Sequence, residues 1–146
     1  MNNEIPYSIF EQERLVLTRE LSALHLPANT QCRILAYLPE QFYKEEQKAQ
    51  ILKIFAACGT QESDVLILNQ PFRWSDIKDM PTLKEVFLFG ADPRSLDISY
   101  ILYPYKFLPI GDKKVILADP LPHIMGNAAL KNDFWHKCLR PYYLGK

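Results

Sequence analysis

Four short apolar runs constrain this chain more than any other feature. They are "CRILAYL" (residues 32–38), "DVLILN" (64–69), "KEVFLFG" (84–90) and "KKVILAD" (113–119). Each is too brief for a helix and largely apolar at successive positions, the pattern of strands buried on both faces. Between the first two runs the period changes. Over residues 44–57, Ile51, Ile54, Phe55 and Cys58 fall at i, i+3, i+4 and i+7, and Gly59 follows as a left-handed cap. Strands alternating with helices require a parallel or mostly parallel sheet covered on both faces and linked by right-handed crossovers. The expected architecture is an α/β fold, a three-layer α/β/α sandwich with an extra N-terminal helix.

That extra helix is signalled by Ser8 followed by Glu11, a capping box whose side chains satisfy backbone N–H groups at a helix start. It should run over residues 9–24, with Phe10, Leu17, Leu21 and Leu24 on one stripe, before Pro27 breaks it. Residues 1–28 are therefore read as a helical segment and residues 29–146 as a single α/β domain. The stripe either packs on its own domain or tethers a partner, and in the second case Phe10, Leu17 and Leu21 are the anchors.

The remaining segments are connections and a last helix. One helical turn is expected near residues 75–79, after the aromatic loop "QPFRW". "SYILYPYKFLPI" (99–110) reads as a strand end, a covering loop, or both, and Pro104 argues against a central strand there. A terminal helix starts from Asn127 as its cap and sets Leu130, Phe134 and Cys138 four apart, with Trp135 alongside.

Composition excludes several functions. Seventeen basic and seventeen acidic residues cancel, so no net field draws in nucleic acid or an anionic membrane, and direct DNA binding by charge is disfavoured. No apolar run approaches the roughly twenty residues of a membrane span, and no leader pattern opens the chain, which implies a soluble, cytoplasmic protein. Cys32, Cys58 and Cys138 are odd in number and lack a C-x-x-C, so they read as core fillers rather than a disulfide framework or zinc site. No phosphate-cradling glycine motif, nucleophile elbow or H-E-x-x-H spacing occurs, and neither cofactor nor metal is expected.

In sheets of this kind ligands meet the C-terminal ends of the strands, which directs attention to residues 39–43, 69–74, 90–94 and 119–127. Asn69, Asp119 and His123 are the candidate ligand crevice; His123 is the one histidine expected at a strand end, and no paired nucleophile accompanies it. Phe72 and Trp74 around Arg73 could stack bases. An aromatic covering the sheet end, with its arginine directed outward, explains those letters better.

The order of segments adds a resemblance. "QILKIFAACGTQESDVLILN", a helix, glycine cap and strand ending in Asn69, resembles the uracil-DNA glycosylase superfamily, in which an asparagine there reads the flipped base. "LADPLPHIMGNAALKNDFW" resembles that superfamily's last motif, except that Asp119 precedes Pro120 where the superfamily has a histidine. "PEQFYKEEQ" replaces its glycine-rich catalytic loop. A carboxylate at position 119 would repel the anion of a leaving base. A glycosylase-like fold without the active site resembles the family of psi subunits of the bacterial DNA polymerase III clamp-loader assembly, through "DVLILNQPFRW", "DMPTLKEVFLFG" and the helix bearing Trp135. The resemblance implies a non-enzymatic accessory protein of DNA replication. Its N-terminal segment would bind clamp-loader subunits, and its domain would dock a small partner linked to single-stranded-DNA-binding protein. The alternative is a nucleobase- or DNA-binding glycosylase-like enzyme using Asn69, Asp119 and His123.

Overall fold

The computed structural model describes residues 31–145, so the helix expected over residues 9–24, with Phe10, Leu17 and Leu21, lies outside the described residues. The four apolar runs become β1 (Ile34–Tyr37), β2 (Val65–Leu68), β3 (Glu85–Phe89) and β5 (Lys113–Ala118), joined by a short β4 (Leu108–Ile110). They form one mixed sheet in the order β2-β1-β3-β5-β4. β1 pairs in parallel with β2 and β3, β3 pairs in parallel with β5, and β4 runs antiparallel to β5. Ile34 sits opposite Val65 on one side and Glu85 on the other, and Glu85 opposite Lys114. The four parallel strands therefore start level.

Helix α1 (Glu45–Ala57) returns the chain from β1 to β2 and buries Ile51 and Phe55 against the sheet. It ends as expected, with Gly59 at a φ of +88°. A single turn, α2 (Trp74–Ile77), precedes β3. After β5 come α3 (Leu121–Met125) and α4 (Ala128–Asp133), whose start is fixed by Asn127 Oδ1 accepting from the backbone N–H of Ala129 at 2.9 Å and of Leu130 at 3.2 Å. Helix α4 then widens into a π-helical segment, Phe134–Leu144, with Pro141 withholding a backbone donor inside it.

Alternation along the strands divides the core in two. Ile34, Ala36, Phe87, Phe89 and Ile116 pack under α1 and the C-terminal helices, with Phe134, Cys138 and Leu139. Phe55 meets Phe87 edge-on at 5.0 Å. Each such fully buried ring contributes about 1.5–3 kcal/mol relative to exposure. Leu35, Tyr37, Val86, Leu88 and Val115 form the other face, covered by Ile77 of α2 and by Leu96, Ile98 and Leu102 of the loop beyond β3. Lys113 is 1% exposed there, and its ammonium donates to the Met80 carbonyl at 2.8 Å and to Asp112 at 3.2 Å. All three cysteines are buried and unpaired, the core role expected of them.

One expectation is corrected and one alternative is resolved. β2 is not buried on both faces: it forms the sheet edge, and its four residues are half-buried. A fully apolar run reads alike in the centre or at an edge, because composition records the side chains and not the neighbours. The region 99–110 is both loop and strand. Pro104 makes one isolated bridge to Leu117, and Pro109 lies in β4 at the opposite edge, where a missing donor is tolerated.

Candidate functional site

The chain leaves β1 for β2 and then passes back across β1 to β3, so its direction of progress reverses between β1 and β3. The crevice beyond that reversal is where a ligand is expected. One step along the sheet from it, between β3 and β5, the chain packs on itself. Gly90, which ends β3 with a φ of +80°, has Pro120 packed against it so closely that a Cβ would lie 2.6 Å from the proline Cγ. Only glycine permits both the conformation and the approach.

Asp119, half-buried at the end of β5, is held from the side. The Tyr105 hydroxyl donates to its Oδ2 at 2.6 Å, and its own backbone N–H donates to the Tyr105 oxygen at 3.4 Å. Tyr105 adopts a φ of +64° to reach it. Burial, and then the hydrogen bond to Asp119, raise the phenol above its ordinary value, so it remains a protonated donor. His123 is exposed on α3 and meets Phe42, from the turn after β1, edge-on at 6.1 Å. Asn69 is half-buried where β2 ends. With β1 and β3 between β2 and β5, three strand spacings of roughly 14 Å separate the Asn69 and Asp119 positions. Asn69 and Asp119 occupy strand ends as expected, His123 lies on helix α3 rather than in a strand-end loop, and the strand order keeps Asn69 apart from Asp119.

An open cleft of about 490 Å³ lies on the other side of this rim, lined by Tyr37, Pro71, Phe72, Arg73, Ser95 and Asp97. Phe72 is 1% exposed and packs edge-on to Tyr37 at 5.4 Å, while Arg73 turns outward to Asp97 at 3.7 Å. The covering role for this aromatic is the one observed. A base would find no free face on Phe72.

The segment that stayed ambiguous supplies the most exposed apolar surface among the described residues. Tyr100, Ile101 and Tyr103 are 56%, 75% and 65% exposed, while Leu102 between them is buried against the sheet. Tyrosine and an aliphatic neighbour presented on an anchored loop are the side chains enriched at protein interfaces. Their signal in the sequence is the run of aromatics itself, without the alternation of a strand.

A polar centre unforeseen from the sequence closes the opposite end of the sheet. Glu85 is 1% exposed, yet both oxygens are satisfied: Arg33 Nε donates to Oε1 at 2.8 Å, the Tyr142 hydroxyl to Oε2 at 2.7 Å and the Tyr143 hydroxyl to Oε1 at 3.2 Å. The Arg33 guanidinium also lies 5.2 Å from the Tyr143 ring centre, and the Lys114 ammonium 5.1 Å from that of Tyr142. Burial and then Glu85 push the Tyr142 phenol up to about 12, and burial drives Tyr143 upward too. The centre is closed on itself and reads as structural. Its signal was a carboxylate inside an apolar strand, which burial allows only with partners.

The thiols offer no nucleophile at neutral pH, since burial pushes Cys58 up to about 11 and Cys138 up to about 12, and raises Cys32 as well. Among the described residues no three His, Cys, Asp or Glu side chains gather as metal ligands, and no helix is long and apolar enough to cross a membrane. No protein-family model, curated protein or solved structure matches this chain.

Proposed function

We propose that this chain is a non-enzymatic accessory subunit of bacterial DNA replication, a cytoplasmic interaction module of the psi kind that binds the clamp loader of DNA polymerase III. In this reading the sheet is a three-layer, glycosylase-like scaffold, residues 1–28 carry the tether with Phe10, Leu17 and Leu21 as anchors, and the domain docks a small partner linked to single-stranded-DNA-binding protein. The observation that carries the reading is a contrast at the rim of the sheet. Asp119 and Gly90, at the ends of β5 and β3, are occupied by Tyr105 and Pro120, whereas Tyr100, Ile101 and Tyr103 beside them stand exposed. Surface of that composition suits a protein partner better than a small ligand. The resemblance in segment order and the balanced net charge support it further.

The test is capture of clamp-loader subunits from bacterial lysate, identified by mass spectrometry, using the full chain beside a truncated chain starting at Pro27. Retention by the full chain and loss on truncation is the expected result. No retention of those subunits by either form overturns the assignment. Uracil excision by the full chain that is abolished in Asn69→Ala would overturn it in favour of the glycosylase-like alternative.

A further inference from the structure

A groove of about 270 Å³ runs between α1 and the C-terminal helices, on the face of the sheet away from the exposed tyrosines. Ile54 and Ala57 form one wall, Ile124 and Met125 the head, and Trp135 and Leu139 the other wall. Apart from two lysines and the indole N–H of Trp135, no lining side chain can form a hydrogen bond. A small polar ligand would find little to orient it, whereas aliphatic side chains need only area. The two lysines, Lys53 and Lys131, are exposed and come from opposite walls. An apolar floor with a cationic rim fits an amphipathic helix with an acidic shoulder.

We propose that the occupant is this chain's own residues 9–24, seated in the groove through Phe10, Leu17, Leu21 and Leu24. At 3.6 residues per turn, Glu13 and Glu20 fall on one shoulder of that stripe, while Arg14 occupies the other with Glu11 further round. Two glutamates seven residues apart thus face one rim together. The connection is long enough: six residues, 25–30, lie between Leu24 and Gln31, and the seven steps reach roughly 24 Å. The groove is also close to its start, because α1 returns to the end of the sheet where β1 begins and Ala57 is its last residue. Seating and partner capture use the same stripe and exclude one another, yet the seating itself does not depend on the replication reading.

The experiment uses the full chain with Trp74→Phe, which leaves Trp135 as its one tryptophan. Zero-length carbodiimide coupling and peptide mass spectrometry should join Lys53 or Lys131 to Glu13 or Glu20 within a single chain, as judged from mixed isotope-labelled and unlabelled protein. Leu17→Asp with Leu21→Asp should abolish those links and raise acrylamide quenching of Trp135 about twofold, as a half-buried ring becomes exposed. Ala57→Glu, an exposed helix-end position that folding tolerates, should do the same from the groove side. Links found only between differently labelled chains would overturn the intramolecular seating in favour of a second copy. Unchanged quenching in both variants, with melting temperatures intact, would overturn the site altogether.

Discussion

At the end of the sheet where the strands begin, Glu85 is 1% exposed and both of its oxygens accept bonds, from Arg33, Tyr142 and Tyr143. At the end where they finish, Asp119 is half-buried and, among the described residues, its carboxylate accepts from Tyr105 alone. Both carboxylates meet tyrosine, but one belongs to a closed network and the other keeps an oxygen without a donor among the described residues. A buried charge is tolerated only when its partners are complete, so the first end is committed to stability. The second retains unused acceptor capacity beside exposed Tyr100, Ile101 and Tyr103, and that asymmetry is why recognition is sought there.

The comparison is most directly attacked at Glu85. Replacing it by alanine leaves Arg33 and two phenols without their acceptor, and unfolding stability should fall by roughly 3 kcal/mol in urea titration. A loss below about 1 kcal/mol would mean that water already serves this network. Next in size is Gly90→Ala, which forces a left-handed alanine against Pro120 and should cost about 2 kcal/mol. Part of that loss should return in the Gly90→Ala, Pro120→Ala double variant, since the two positions are in contact. Tyr105→Phe should cost only about 1 kcal/mol, because solvent reaches the freed Asp119 oxygen. Thermal melts of these variants rank the two ends; Tyr105→Phe matching Glu85→Ala would erase the distinction.

Alkaline pH gives the smallest and most gradual effect. The unfolded thiols lose their protons from about pH 9 and the unfolded phenols from about pH 10, whereas Cys58 holds its proton to about 11 and Tyr142 to about 12 in the fold. In that window the folded chain binds more protons than the unfolded one, so stability falls as pH rises. The melting temperature should be level up to about pH 9 and decline from there toward pH 12. Tyr142→Phe, although less stable at neutral pH, should show a shallower upper part of that decline.

Much of this fold was legible because its strands are short apolar runs and its main helix has a clean period. β1, β3 and β5, helix α1, the Gly59 cap and the Asn127 cap all lie where spacing and cap chemistry put them. Strand order was not legible, and it decides the site. Asn69 and Asp119 each sit at a strand end, but two intervening strands keep them apart. The Glu85 centre was hidden for a related reason, since its tyrosines come from 57 and 58 residues away and no local pattern joins them. The exposed loop was visible only as ambiguity: Leu102 had to be seen buried before its neighbours could be seen as surface.

The π-helical ending has a mechanical corollary. By bringing Tyr142 and Tyr143 together onto Glu85, it fastens the last turn of the chain to Arg33, the residue just ahead of β1. Anything that grips residues 1–30 therefore pulls on the same knot that secures the C-terminal helix. Load applied at the beginning of the chain is delivered to its end across a single carboxylate, that of the first residue of β3. Under tension from the N-terminus, this knot and the outermost helix are the first parts to feel the force.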